Sequence, residues 1–302
     1  MLENATILVT GPASQVGFPI ARALAKHNRV IGLARFGREK DRERLEAAGV
    51  ECVRADLEDD DLSGAPSDVD YVLHFAVVKR GAGDFDADLS ANAEGVGRLM
   101  AHCRGARAFL HCSSTAVYEY AGQAPRCEGD PLGDNHRVMM PTYSLCKIAA
   151  EAVARFACRQ WKLPTTIARL SVPYGDNGGW PAFHLEMMRS GVPIPVHPDA
   201  PSLFNPIHED DLVRMLPRLL ERASVPAAIV NWAGSEPVSI EEWCAYLGEL
   251  TGLEPRFETT PRTIGSVVAD TARMHEWIGP TEVGWRDGLR RMLESRHPEL
   301  LR

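Results

Sequence analysis

The sequence predicts an α/β fold, a doubly wound parallel sheet covered by helices on both faces, with a smaller C-terminal lobe. Three observations carry this. Short, almost continuously apolar runs alternate with amphipathic stretches over the first half. A glycine-bearing turn joins the first run to the first amphipathic stretch. After Tyr174 the alternation gives way to chain punctuated by Gly and Pro. Strands buried on both faces lose the polar–apolar alternation of half-exposed ones, and their crossovers return right-handed, so the ligand belongs beyond the strands' carboxyl ends.

Taken in order, residues 6–10, 29–34, 51–55, 71–76, 108–113 and 165–170 read as strands. Residues 18–27, 92–104 and 147–161 read as helices between them. Glycine and proline break up residues 175–206. A helix over 210–222 and a further strand over 229–233 follow and rejoin the main sheet. This divides the chain into a ligand-binding domain, 1–172 with 207–234 returning to it, and a second lobe built from 173–206 and 235–302. Residues 35–44 are locally basic but interrupted by Glu39, Asp41 and Glu43, which reads as a solvated helix face.

The bulk numbers narrow the function classes. A chain of 302 residues, 45% hydrophobic and 25% charged, buries a substantial core and folds without disulfides. A formal charge of -8 opposes a polyanion-binding surface, so no nucleic-acid partner is expected. No run approaches a membrane span and the N-terminus carries no export signal, so a cytoplasmic location is expected. The seven cysteines are scattered without metal-ligand spacing, hence no metal is expected and the thiols read as reduced. Cys112 and Cys146 lie beside the residues singled out below and read either as small buried hydrophobes or as reactive thiols.

The first strand runs directly into Gly11-Pro12-Ala13-Ser14-Gln15-Val16-Gly17 and then a helix. A dinucleotide pyrophosphate needs close backbone approach, free N–H groups and the positive end of a helix. Gly11 and Gly17 suit that role; Ser14 stands where a middle glycine is usual, and a plain strand–helix turn is the alternative. At the end of the second strand an acidic side chain would select the ribose 2′-hydroxyl. Ala34 and Arg35 stand there instead, a guanidinium favouring a 2′-phosphate, so NADP is the expected cofactor with NAD as the alternative.

Tyr143 and Lys147 are four residues apart at the start of a helical run and share a helix face. A free phenol, with a pKa of ~10, shuttles protons poorly near neutrality, and a neighbouring cation lowers that value. Upstream, the apolar strand at 108–113 ends in hydroxyl residues, delivering Ser114 to the crevice.

These motifs, with Asp56-Leu57, His74-Phe75-Ala76, Asn92, Tyr174-Gly175, Ile207-His208-Glu209-Asp210-Asp211 and residues 262–270, resemble in order and spacing the extended short-chain dehydrogenases/reductases, the NAD(P)-dependent epimerase/dehydratase type. The resemblance covers essentially the whole chain and implies a Rossmann-type domain. It implies that Tyr143 exchanges a proton with a substrate oxygen while hydride moves between substrate and nicotinamide. Ser114 would hold that oxygen and Lys147 would also grip the nicotinamide ribose. The implied cofactor set is Gly11, Ser14, Gln15, Val16, Gly17, Arg35, Asp56, Leu57, Phe75, Ala76, Val77, Asn92, Tyr143, Lys147, Leu170 and Val172. Asn92 either fixes the loop beside the sheet or a water, or caps the following helix. A homodimer paired through helices is also implied.

Departures from the family pattern bear on substrate. Dehydratases follow their Ser/Thr with Asp-Glu; Thr115-Ala116 here speaks against elimination. Sugar-nucleotide epimerases place Asn and Arg where this chain has Val172 and Phe204, which favours a less polar substrate. Arg262 is an anion contact or a surface arginine. Trp180, Phe183, Met187 and Met188 line an apolar pocket or pack in the core, and His184 and His208 are further candidate contacts. The expected function is therefore an NAD(P)-dependent oxidoreductase interconverting an alcohol and a ketone on a non-nucleotide small molecule. The alternative is an epimerase acting on a sugar or sugar nucleotide. A cofactor-sensing protein without catalysis would not need Ser114, Tyr143 and Lys147 together.

Overall fold

A computed structural model describes residues 2–59, 61–78 and 84–302. In chain order the elements are β1 (Thr6–Thr10), α1 (Gly17–Leu24), β2 (Arg29–Ala34), α2 (Glu39–Ala47), β3 (Glu51–Arg54), β4 (Tyr71–His74) and α3 (Phe85–Leu89). A π-helical turn, Ser90–Glu94, then leads into α4 (Gly95–His102), β5 (Ala108–Ser114), α5 (Tyr143–Trp161) and β6 (Thr165–Leu170). The lobe begins with β7 (Pro173–Gly175), β8 (Gly178–Gly179), α6 (Trp180–Arg189), β9 (Ile194–Val196) and β10 (Leu203–Phe204). There follow β11 (Ile207–His208), α7 (Glu209–Glu221), β12 (Ala228–Trp232), β13 (Val238–Ser239), α8 (Ile240–Thr251), β14 (Phe257–Thr259), α9 (Ala272–Ile278) and α10 (Trp285–Arg296).

Seven strands form one parallel sheet in the order β12-β6-β5-β4-β1-β2-β3. The chain builds outward from β1 to β3, then crosses back to place β4 on the other side of β1. This reversal opens the crevice at the carboxyl ends of β1 and β4, where a doubly wound sheet binds ligand. Along β1 the side chains alternate between two cores. Ile7 and Val9 pack with Ile20, Leu216 and Trp232 on one face. Leu8 packs with Ile31, Val72, Phe109 and Ile167 on the other. The lobe has its own core, in which Tyr174, Leu185, Phe204, Trp243, Leu247 and Met292 are buried.

Several boundaries differ from the sequence expectation, each for a local reason. β4 ends at His74: the Phe75 N–H still donates to the Thr10 carbonyl, but the Ala76 N–H turns to the Thr10 hydroxyl instead of continuing the ladder. α5 begins at Tyr143 rather than Lys147, and α1 ends at Leu24, short of His27. The helix expected over 92–104 is two pieces, the π-turn and α4. β11 pairs with β7 in a small sheet outside the main one, whereas β12 pairs with β6 at the edge of the main sheet. Basic residues 35–44 lead into and form α2, on which only Leu45 is buried, so its charges are solvated.

Candidate active site

The turn after β1 is shaped by backbone constraints. Gly11 has φ +62°, and a Cβ there would lie 2.8 Å from the Ala76 nitrogen. At Gly17 a Cβ would lie 2.2 Å from the Gly11 carbonyl oxygen. Neither position admits a side chain, and the turn thus offers bare backbone at the start of α1. Ser14 does other work than a middle glycine: its hydroxyl accepts the Gly17 N–H at 3.0 Å, closing the turn onto the helix. The turn is also tied to the lobe. The Gln15 side chain donates to Pro173 O at 2.5 Å, and Asn177 Nδ2 donates to Ser14 O and Gln15 O at 3.2 and 2.9 Å.

Two cavities flank the turn. The smaller, about 190 Å³, is lined by Arg35, Asp56, Leu57, Phe75, Ala76 and Asn92, among others. Arg35, more than half exposed, is not alone there: Asp56 and Glu58 from beyond β3 each place a carboxylate oxygen 3.8 Å from its guanidinium. Asn92 lies within the π-turn rather than at a helix N-terminus. Its Oδ1 accepts the Val78 N–H at 2.8 Å and its Nδ2 donates to Val78 O and Asp88 O at 3.0 and 2.8 Å, holding the chain that leaves β4. This geometry is loop anchoring, not capping.

The larger cavity, about 490 Å³, brings Ser114, Tyr143 and Lys147 onto one wall together with Gln15, Val16 and Phe75. Val77, Leu170 and Val172 line it as well. Lys147 is buried and its Nζ donates to Cys112 O at 2.7 Å. Burial lowers its pKa from the usual lysine value, since a charge loses solvation there. Ser114 ends β5, and its hydroxyl accepts the Ala116 N–H at 3.2 Å while its own proton stays available. Tyr143 is the first residue of α5. The preceding Thr142 donates its hydroxyl to the buried Asp88 at 2.6 Å, anchoring the helix start.

Other candidates fall elsewhere. Of the stripe Trp180, Phe183, Met187 and Met188, only Trp180 reaches the cavity; Phe183 is 61% exposed and Met188 sits in the lobe core. His184 and His208 do not line it. His184 is buried and accepts the Trp243 indole N–H at 2.9 Å, burial pushing its pKa down to about 4. His208 accepts the Asp210 N–H as the cap of α7 and packs edge-on against Tyr174. Arg262 is likewise absent from the wall. Cys112 does line it, but burial raises its thiol to about 11, so it is protonated and unreactive. Cys146 is buried and also raised. Among the described residues no group of three or more His, Cys, Asp or Glu could hold a metal.

Sequence reasoning missed several wall residues. Phe204, read only as a lost arginine, stands in the wall at 4.9 Å centroid spacing from Trp180. His136, Met139, Met140, Ile264 and Val267 come from two loops with no periodic signal. A buried network behind the site also went unread: Arg169 pairs with Glu151 at 2.8 Å, both 3% exposed, and Ser113 donates to Glu151 at 2.6 Å. Glu151 lies one turn beyond Lys147.

A glycine cradle at the switch point, an adjoining nucleoside-sized cavity and a Ser/Tyr/Lys-lined chamber together fit a nicotinamide dinucleotide and define an enzyme of the extended short-chain dehydrogenase/reductase class. Residues 7–232 match the profile described as the NAD dependent epimerase/dehydratase family, and the chain belongs to that family. Solved structures agree in fold. A variant UDP-glucuronic acid 4-epimerase from Bacillus cereus, in complex with UDP-4-deoxy-4-fluoro-glucuronic acid and NAD, is 21% identical with a TM-score of 0.83, covering 96% of this chain and 98% of that one. MoeE5, in complex with UDP-glucose and NAD, is 25% identical with a TM-score of 0.82 over 98% and 99%. A UDP-glucose 4-epimerase from Thermotoga maritima with UDP-glucose is 20% identical, with a TM-score of 0.82 over 98% and 99%. No curated protein matches the sequence.

Proposed function

We propose that the chain interconverts a secondary alcohol and a ketone where Ser114, Tyr143 and Lys147 share the wall of the larger cavity, the observation that carries this reading. A nicotinamide dinucleotide bound across the turn supplies the hydride acceptor or donor. Tyr143 takes or returns the proton of the substrate oxygen, its phenolate favoured by the buried Lys147 ammonium. Ser114 donates a hydrogen bond to that oxygen. The cavity's largely apolar walls limit water around the exchanging charges.

The walls also bear on substrate class. Val172, Trp180, Phe204, Ile264 and Val267 offer no counter-ion, and Lys147, the one lysine or arginine among the described lining residues, is committed to Cys112 O. A nucleoside diphosphate brought against such a wall would be an unpaired buried charge. This supports a substrate without one. The second reading is an epimerase acting on a sugar or sugar nucleotide. The comparisons favour it over net oxidoreduction, because the three solved structures hold UDP-sugars and two are named as 4-epimerases. One assay separates the readings: net oxidoreduction changes coenzyme absorbance mole for mole with product, whereas UDP-glucose or UDP-glucuronic acid turned into its C4 epimer without net coenzyme change establishes the second and sinks the first.

For the cofactor we favour NADP. Arg35 is more than half exposed and its two pairs are long, at 3.8 Å, and worth about 1 kcal/mol or less, so a phosphate dianion competes with Asp56 and Glu58 for the guanidinium. NAD in the solved structures is the counter-argument. A homodimer through α4 and α5 is supported by Leu145 and Phe156, exposed apolar side chains on α5. The seven cysteines, all unpaired, fit a reducing cytoplasm.

A further inference from the structure

The hairpin that opens the lobe is fastened to the Gly11–Gly17 turn, and one side chain makes most of the attachment. β7 and β8 pair antiparallel around Asp176 and Asn177. Asn177 Nδ2 directs both its protons at the turn, donating to Ser14 O and Gln15 O. Its Oδ1 accepts from the Arg44 guanidinium of α2 at 2.8 Å, and its backbone N–H donates to Glu209 Oε2, at the start of α7, at 2.9 Å. The amide fits only one way round, because a reversed group would set an oxygen against two carbonyls and an N–H against a guanidinium.

The surroundings hold these partners in place. Arg44 lies over the ring of Phe18, buried in the first turn of α1, 3.4 Å from its centroid. Glu209 is buried against Gly175, where a Cβ would lie 2.5 Å from its Cγ. At Gly179 a Cβ would lie 2.5 Å from Pro173 O and 2.7 Å from Gln15 Nε2, so a side chain there would break the second tie, from Gln15 to Pro173. Docking on the turn thus dictates both glycines.

The hairpin in turn carries part of the substrate wall. Val172 leads into it and Trp180 follows it directly, and both line the larger cavity, as Ser14 and Gln15 of the turn do. Three residues of the hairpin, Gly175, Gly178 and Gly179, are glycines at positive φ, a backbone with wide freedom when nothing restrains it. We infer that Asn177 is a positioning residue for the reaction: it locks the hairpin, and with it the Trp180 wall, to the turn, so that a coenzyme seated on the turn orders the wall that receives substrate. This rests on the dinucleotide reading of the preceding subsection. A bound dinucleotide fixes the two carbonyls to which Asn177 donates, and fixed acceptors restrain the donor and the chain behind it.

The test is amide hydrogen exchange of the full chain, read by mass spectrometry on peptides from the turn, 11–20, and from the hairpin with the start of α6, 173–182. Each is measured without coenzyme and with NADP or NAD at a concentration that saturates the chain. Coenzyme is expected to slow exchange about fivefold or more in both regions. Asn177→Asp keeps the oxygen that faces Arg44 but loses both donors to the turn, and Asn177→Ala loses all the side-chain bonds. Either variant should keep the coenzyme-dependent slowing over 11–20 and lose most of it over 173–182. A side chain with a merely structural role would alter exchange of the coenzyme-free chain and leave that coenzyme-dependent difference intact, a result that overturns the assignment. So does a hairpin that fails to respond in the unaltered chain while the turn does, or a variant that no longer binds coenzyme at all. No response in either region, with no shift in Tm on adding either coenzyme, removes the dinucleotide reading and this assignment with it.

Discussion

At the residue scale, the chemistry turns on a few groups with opposed needs. Tyr143 needs a nearby cation, yet Lys147 is buried where a cation is disfavoured. Its ammonium therefore gives up its proton below the usual lysine value of 10.5. Activity that depends on the charge should fall on the alkaline side before that pH, and a rate profile flat to pH 10.5 would remove Lys147 from the mechanism. Tyr143→Phe should lower kcat by about 10²- to 10⁴-fold with coenzyme binding largely kept, as measured by steady-state rates and coenzyme titration. Arg35→Ala should raise the KM for NADPH about 10- to 100-fold and leave that for NADH nearly unchanged, the scale of one charge-assisted hydrogen bond. An equal effect on both coenzymes would contradict the 2′-phosphate role.

At the element scale, β5, α5 and β6 act as one unit. Glu151 on α5 accepts from both Ser113 on β5 and Arg169 on β6, so a single carboxylate aligns the strand that ends in Ser114 with the helix that starts at Tyr143. Tyr118 stacks on Arg169 and completes the enclosure. Removing one partner of a buried pair leaves the other charge stranded, at about 3–5 kcal/mol. Glu151→Gln should lower Tm by about 10 °C in a thermal melt. The sequence pattern revealed these elements by their apolar runs but not this tie, because an Arg and a Glu eighteen positions apart carry no periodic signature. The same holds for the end of β4. The largely apolar run 71–76 predicts a longer strand, while the Thr10 hydroxyl on β1 takes the Ala76 N–H.

At the scale of the whole molecule, buried histidines couple stability to pH. His74 shares a hydrogen bond with Thr10 at 2.7 Å and stacks on His111, whose two ring nitrogens are buried without partners among the described residues. Burial holds His74 down to about 3, His184 to about 4, and His111 well below 6.5. These groups stay neutral when folded but titrate near 6.5 when unfolded, so the unfolded chain binds more protons below pH 6.5 and stability falls as pH drops from 6.5 toward 4. Each histidine costs about 2 kcal/mol at pH 5, and the sum rivals the whole margin of a typical fold. Tm should therefore drop steeply between pH 7 and 5. A flat profile would show that these rings are hydrated or repositioned.

What the sequence determined alone follows from local rules. Apolar runs, crossover handedness and the strand–turn–helix at Gly11–Gly17 dictate the doubly wound sheet and its switch point, because strand burial and backbone access leave a direct trace in residue type. Tyr143 and Lys147 are legible for the same reason: four residues on a helix are one face. Tertiary structure alone decided which side chains surround them. It turned His184 and His208 into core residues, left Arg262 off the wall, set Asp56 and Glu58 beside Arg35, and brought His136 and Phe204 to the cavity. Those contacts join loops far apart in the chain, where no spacing rule operates and packing of the two lobes makes the choice.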